Sequence, residues 1–355
     1  MVRVGFLGCG FIARYHLMQL ALSPVRCEVV ACHDPDERKV QSFIGHIADD
    51  HPRLGAPDNC ESPDLLLASV DAVFVCTWTA THLDLVSRAA RAGVAVFCEK
   101  PLGVDLIDAV AVAEALSRAP TQMVGLVLRS SPAFLALREL VHEQGAGAVM
   151  NVVFRDDQYL PVGGMYGSTW RADAALSGSG ALLEHSIHDV DILEWLVAPM
   201  AAVSARQAFV GGLEGIEDSV SVLGTFTNGA SFTLASVWHD VADRPSQRRV
   251  EVFCQNRLVT LEGDIFGPVS VHTSEGVTTY EGDALVEWLD SRGVELVSAE
   301  QLFLGSVEQS ASRGGVVRRL RPDAGDALRA HVLVDAMYRS ARAGGQPVGV
   351  LPSDA

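Results

Sequence analysis

Two stretches of this sequence carry residue types whose order could do acid–base or electrostatic chemistry. The first is "CEKPLG", Cys98 to Gly103, which ends the apolar run "GVAVFCEKPLG". Lys and Glu are seldom fully buried unless paired. Read alone, Glu99 and Lys100 make an ordinary strand end reaching solvent. The sharper reading is an ammonium presented at a chosen point. Pro101 biases Lys100 towards extended backbone, which stiffens the exit and defines its aim. The second stretch is "SGSGALLEHSIHDVDILEWL", Ser177 to Leu196, a glycine-rich turn running into helical spacing. Glu184, His188 and Asp191 stand at i, i+4 and i+7 and so share one helix face. His188 could carry a proton, with its orientation and pKa set by the two carboxylates. A solvated polar stripe is the plain alternative. A metal site built from His185, His188 and acids fits only loosely, because His185 points about 100 degrees away from Glu184. No metal is expected.

These groups need elements that position them. The first ~125 residues alternate apolar strand patterns with helical ones, which predicts βαβ units and a parallel, doubly wound sheet. "GFLGCGFIA" follows the first strand and opens a helix. Within it Gly8, Cys9, Gly10, Phe11, Ile12 and Ala13 form a GxGxxA pattern. Gly8 permits a tight turn, Gly10 lets backbone approach a pyrophosphate, and Ala13 keeps helix and sheet close. Asp34 ends the second strand, placed for an adenosine ribose. A carboxylate there favours NAD over NADP, although Arg38 close behind weakens that preference. Thr77, Trp78, Thr79 and Thr81 follow the third long strand, in "CTWTATHLDLV", and Lys100 follows the fourth. Both fall at the carboxyl edge, where open α/β sheets bind ligands.

After Arg129 the rhythm changes. Strand patterns joined by hairpin signals such as "TNGA" predict a second domain, α+β, with a largely antiparallel open sheet and helices on one side. The expected division is 1–125 for a Rossmann dinucleotide domain and 126–355 for a substrate-binding domain, whose C-terminal helix is able to pack back on the first. One helix is expected from about Leu182 to Leu196.

Composition narrows the class. The chain has 355 residues, 48% of them hydrophobic, and a formal net charge of -17. No basic block offsets that charge, so nucleic acid and anionic membrane surfaces are not expected partners. Seven cysteines, an odd number with no CxxC pair, argue against a disulfide scaffold or a structural zinc site. No run approaches the ~20 apolar residues of a spanning helix. Met1 to Gly8 already reads as a strand into a glycine turn, so no leader peptide is expected. A cytoplasmic location is expected.

Four stretches resemble the glucose–fructose oxidoreductase / inositol dehydrogenase (Gfo/Idh/MocA) family: "GFLGCGFIARYH", "CTWTATHLDLVSRAARAGVAVFCEKPLG", "WRADAALSGSGALLEHSIHDVDILEWL" and "EDSVSVLGTFTNGASFTLASVWH". They come in family order and cover most of the chain, thinning after about Glu281. The resemblance implies an N-terminal Rossmann domain and a C-terminal α+β domain whose open sheet often mediates oligomerisation. It also implies NAD(P)-dependent redox at a sugar or cyclitol hydroxyl. By the same resemblance Lys100 lies beside the nicotinamide and the reacting hydroxyl, and His188 takes or gives the hydroxyl proton. Glu184 stands where the family usually has aspartate, and Asp191 matches the acid three residues after the histidine. Arg129, Trp170 and Arg171 match positions near the substrate, while His82 and Glu99 fall in the stretches assigned to the cofactor. Two other readings stay open: a glycosidase or lyase that uses held NAD transiently, and an NAD- and sugar-sensing protein without catalysis.

Overall fold

A computed structural model describes residues 1–164, 166–242, 244–313 and 320–350. The chain forms two compact units, 1–126 with 297–328, and 127–296 with 329–355.

The first unit begins β1 (Val2–Leu7), α1 (Phe11–Leu22), β2 (Cys27–His33), α2 (Glu37–Asp50), β3 (Asp58–Asn59) and α3 (Pro63–Leu67). It continues β4 (Ala72–Val75), α4 (His82–Arg91), β5 (Ala95–Cys98), α5 (Leu106–Leu116) and β6 (Gln122–Val124). All six strands run parallel in the order β3-β2-β1-β4-β5-β6. The central strands β4 and β5 are buried along their whole length, which is why they read as unbroken apolar runs. One face of the sheet packs Val73, Val75, Val96 and Cys98 with Leu85, Val86, Ala109 and Val112 of α4 and α5. The other is aromatic: Phe74 stacks on Phe6 and Phe97 at centroid distances of 5.1 and 4.8 Å. The apolar run "TQMVGLVLR" is a strand only as far as Val124 and then turns into a 3₁₀ segment, Val127–Ser130. Gly125 lies against the Glu99 carboxylate there, where a Cβ would come within 2.3 Å of an oxygen.

The second unit holds α6 (Pro132–His142), β7 (Val149–Tyr159), the single turn α7 (Ala174–Ser177), α8 (Ile187–Leu196) and β8 (Met200–Ala208). Then follow β9 (Ser219–Phe226), β10 (Ser231–His239), β11 (Gln247–Cys254), β12 (Leu258–Glu262), β13 (Val269–Thr273), β14 (Gly276–Tyr280) and α9 (Gly282–Ser291). The helix α10 (Ala299–Arg313) belongs to the first unit, and α11 (Ala324–Arg342) and β15 (Val348–Gly349) complete the chain. Nine strands make a mixed sheet, β14-β13-β12-β11-β7-β10-β9-β8-β15, in which β7 and β10 are parallel and the other pairs antiparallel. Alternation along β9 and β10 turns Val220, Val222, Phe232 and Leu234 inward, against Leu137, Val190, Leu193 and Leu333 of α6, α8 and α11. The intervening side chains point to the opposite face. Val153, Thr233 and Leu223 sit side by side across β7, β10 and β9 on that face, and all three are exposed.

The expected single helix from Leu182 is broken in two. Ala181–His185 is a π turn and α8 starts only at Ile187, with Ser186 between them. The Ser186 amide reaches the Ala181 carbonyl, five residues back. Two sets of contacts favour the wider turn. Glu217 holds the amides of Gly180 and Leu182, and the Ser186 hydroxyl is drawn to Asp156 and Ser236.

Candidate active site

In the first unit the expected cofactor residues gather at the carboxyl edge of one parallel sheet. Gly8 has φ of +90°, and a Cβ there would lie 2.5 Å from the Cys76 carbonyl oxygen, so only glycine makes this turn. A Cβ on Gly10 would meet nothing within 4 Å, which leaves the approach to α1 open. The amino end of α1 has no side-chain cap and no acid in its first turn, whereas α2, α3 and α5 are capped by Asp36, Ser62 and Asp105. An amino end without a side-chain cap behind an open glycine fits a pyrophosphate, whose charge helix N-terminal amides favour.

The Asp34 carboxylate takes part in the turn itself. Its Oδ2 accepts the Cys9 amide at 3.0 Å and its Oδ1 the Asp36 amide at 2.9 Å. Phe11 and Arg38 are exposed, and Ile12 is half-buried. After β4, Thr77 is half-buried, Trp78 is 39% exposed and Thr79 is buried. The buried His82 ring spans two segments, with Nδ1 3.0 Å from the Pro101 carbonyl and Nε2 3.3 Å from that of Thr77. It ties the exit of β4 to the exit of β5.

Lys100 follows β5, half-buried, and its peptide bond to Pro101 is cis. Glu99 turns inward. Its Oε1 lies 3.0 Å from His16 Nε2, and its Oε2 accepts the Lys100 amide at 3.2 Å. His16 Nδ1 in turn lies 2.7 Å from Glu300 Oε1. Burial opposes the charge on Glu99, but the His16 hydrogen bond and the charges of His16 and Lys100 outweigh it and hold the carboxyl below its ordinary range. Burial opposes the charge on His16 as well, yet the two carboxylates prevail and lift the imidazole to about 9. Neither His16 nor Glu300 was singled out from sequence, although His16 ends the quoted run "GFIARYH" as the polar member of a buried stripe with Ala13, Leu17 and Leu20. A second signal was also available. The whole chain contains only two lysines, Lys39 and Lys100, among 27 basic residues.

In the second unit Glu184, His188 and Asp191 are all buried, 2%, 9% and 4% exposed, so they are not a solvated stripe. Each acid meets an arginine. Asp191 receives two parallel bonds from Arg129, Nε to Oδ2 at 2.8 Å and Nη2 to Oδ1 at 2.5 Å. Glu184 receives Arg171 Nε at 3.0 Å, and the Arg171 guanidinium lies 4.6 Å from the Trp170 ring centroid. Arg129 with Asp191 and Arg171 with Glu184 thus make two arginine–carboxylate pairs, and Trp170 lies against the guanidinium of the second.

The turn that carries Glu184 is held from below. Glu217, fully buried, accepts from Ser179 Oγ, the Gly180 amide, the Leu182 amide and Tyr338 Oη, at 2.6, 2.7, 2.9 and 2.8 Å. These contacts satisfy amides that the start of a helix leaves without partners. A Cβ on Gly180 would fall 1.8 Å from the Glu217 carbonyl oxygen, so glycine is required at this contact. His185 points elsewhere, its Nε2 2.8 Å from Asp156, in a buried network with Arg248, Asp189 and Asp264. Burial and the neighbouring Asp156 carboxylate raise Asp189, against the pull of Arg248, to about 8. Among the described residues no group of three His, Cys, Asp or Glu is placed to hold a metal ion.

Comparisons with known proteins agree with this arrangement. Residues 2–126 match the model of the oxidoreductase family with an NAD-binding Rossmann fold, and residues 134–259 match the GFO/IDH/MocA C-terminal domain. Inositol 2-dehydrogenase of Rhizobium meliloti (strain 1021) is 27% identical over 348 residues, spanning 96% of this chain and 96% of its own. Among solved structures, levoglucosan dehydrogenase in complex with NADH and L-sorbose superposes with a TM-score of 0.80 at 18% identity, covering 99% of both chains. The WlbA dehydrogenase of Bordetella pertussis, in complex with NADH and UDP-GlcNAcA, gives 0.78 at 22% identity over 99% of this chain and 98% of that one. The glycine turn, the two-unit fold and both family models lead to one conclusion: the chain belongs to the GFO/IDH/MocA family of oxidoreductases.

Proposed function

We propose that this chain is an NAD-dependent dehydrogenase acting on a secondary hydroxyl of a sugar, sugar derivative or cyclitol. The observation that carries the reading is the amino end of α1, without a side-chain cap, behind Gly8 and Gly10, at the same sheet edge as Lys100. The inositol 2-dehydrogenase relative supports the substrate class.

Gly8 to Ile12 would hold the pyrophosphate, Asp34 the adenosine ribose, and Thr77 to Thr79 the edge of the same groove. When bound, NAD supplies the hydride acceptor. The remaining work falls to this chain's side chains. Oxidising an alcohol requires a base for its proton and a cation for the charge that develops on oxygen. His188 is assigned as the acid/base, because an imidazole titrates near working pH unaided. Lys100 is assigned as the cation that stabilises the alkoxide and anchors the substrate. Glu184 orients the substrate or His188, and Arg171 holds its carboxylate in place. Arg129 acts on the site by fixing Asp191. Glu99, whose carboxylate is engaged by His16 and the Lys100 amide, serves the cofactor edge through position rather than contact.

We place the protein in the cytoplasm. All seven cysteines are free, six of them buried, and no helix among the described residues is long and apolar enough to cross a membrane. We also assign it a homo-oligomer formed through the open sheet face around Val153, Thr233 and Leu223, where Val153 and Leu223 are exposed apolar side chains.

The test is NAD⁺ reduction followed at 340 nm against a panel of sugars and inositols. Turnover with at least one member, abolished in Lys100→Met, is the expected result. Binding of NADH without turnover of any panel member would overturn the dehydrogenase reading.

A further inference from the structure

The cluster behind β5 joins three elements that lie far apart in sequence: α1 through His16, the end of β5 through Glu99, and α10 through Glu300. We propose that His16 and Glu300 are positioning residues for Lys100, acting as a charged clasp that keeps Glu99 ionised and fixed beneath it. The proposal rests on the reading of Lys100 as the residue that meets the reacting hydroxyl.

The geometry favours a charged ring. Each ring nitrogen of His16 faces a carboxylate oxygen, at 3.0 and 2.7 Å, and the ring is fully buried. A neutral imidazole has one donor and one acceptor, so one of those contacts would set a lone pair against an anion. Only the imidazolium donates to both. Without that cation two carboxylates would face each other in an apolar setting of Phe74, Phe97 and Phe303, and one would take up a proton. With it, Lys100, Glu99, His16 and Glu300 alternate in sign along the cluster.

The other titratable groups packed here stay neutral. Burial raises Tyr15 to about 12, with Glu300 and Glu99 adding to the effect. Burial also raises the thiols of Cys76 and Cys98, with Glu99 adding to both. The imidazolium is therefore the charge that answers the two acids.

The clasp bears on Lys100 in two ways. Glu99 Oε2 accepts the Lys100 amide, which fixes the backbone from which the ammonium extends. Lys100 also adds to the charges that keep Glu99 ionised, so the two groups are coupled. The fit is close, because Gly125 leaves just enough room for the carboxylate. His16 further lies one and a half turns into α1, so the clasp links the helix behind the dinucleotide turn to the residue that meets the substrate.

The two-lysine sequence allows a direct test. Reductive methylation with ¹³C-formaldehyde labels Lys100 and, as an internal control, the exposed Lys39. ¹⁵N-histidine labelling reports His16. In the wild type His16 is expected to be charged at pH 7. In Glu300→Gln its pKa is expected to fall by at least one unit, and the Lys100 resonance to shift while that of Lys39 stays. In Glu99→Gln the Lys100 pKa is expected to fall by at least half a unit. A neutral His16 at pH 7 in the wild type, or a Lys100 resonance unmoved in Glu300→Gln, overturns the proposal. The wild-type His16 titration needs no variant, so misfolding of a glutamine variant cannot shield the idea. None of these readouts requires a substrate. Activity surviving in Lys100→Met would sink the functional reading separately, without touching the clasp.

Discussion

Arg129 grips Asp191 through two parallel bonds, Nε to Oδ2 and Nη2 to Oδ1, at 2.8 and 2.5 Å, with the aspartate 4% exposed. Such a fork is strong because both hydrogen bonds are charge-assisted and geometrically matched. It also neutralises the acid three residues beyond His188, about one helical turn on. Removing one partner leaves a charge buried without its counter-ion. Arg129→Met is expected to lower unfolding free energy by about 3 kcal/mol, and Arg129→Met/Asp191→Leu to recover most of it. Urea denaturation of the single and double variants measures both.

Lys100→Met and His188→Ala test the chemical roles. Each is expected to lower kcat by about 100-fold or more, with the NADH dissociation constant within a factor of about three of wild type. Near-wild-type kcat in either variant removes that residue from the mechanism.

His16 makes stability depend on pH on the alkaline side. Its folded value of about 9 lies above the ordinary 6.5, so its contribution is fully present below about pH 6.5 and is lost as pH rises to about 9. The contribution amounts to about 3 kcal/mol at most. In Glu300→Gln, where one of the two carboxylates is gone, the decline between pH 6.5 and 9 should flatten. Unfolding free energy measured across that range reads the slope.

Asp189 slopes the same way for the opposite chemical reason. It is an acid raised from 3.8 to about 8, so the fold favours its protonated form, and its contribution fades as pH climbs through that value. Asp189→Asn keeps the acceptor for Arg248 and a donor towards Asp156, but cannot ionise. The variant should match the wild type only below about pH 3.8, where both folded and unfolded Asp189 are protonated. It should then gain on it with rising pH by roughly 1.4 kcal/mol per unit at most. Parallel stability curves for the two proteins would contradict this.

Leu223, 57% exposed on the open sheet face, is the residue to change for the oligomer. Leu223→Glu puts a carboxylate where an apolar contact is proposed. Light scattering should show a fall in molecular mass with NADH binding kept. An unchanged mass would place the interface elsewhere.

Much of the first unit was readable in advance, because each of its signals is local. The glycine turn, the apolar runs of β4 and β5 and the helical spacing between them follow from backbone sterics and from burial on both sheet faces. The edge at which Gly10, Asp34, Thr77 and Lys100 collect follows from parallel topology. The sequence by itself therefore determined the fold class and which residue types stand at the nucleotide edge.

Tertiary structure decided how the charges are paired. His16 and Glu300 are 284 positions apart, and no periodicity links a histidine on α1 to an acid on α10. The stripe of Glu184, His188 and Asp191 looked like acids that tune a histidine. The fold pairs both acids with Arg171 and Arg129 and widens the turn at Ala181 to His185. Glu217 sets that turn from 33 positions beyond Glu184 through four hydrogen bonds to groups it never neighbours in sequence. The physical reason is common to all three cases. Local order is set by sterics and side-chain period, whereas a buried charge is settled only by which counter-charge the finished fold brings within about 3 Å.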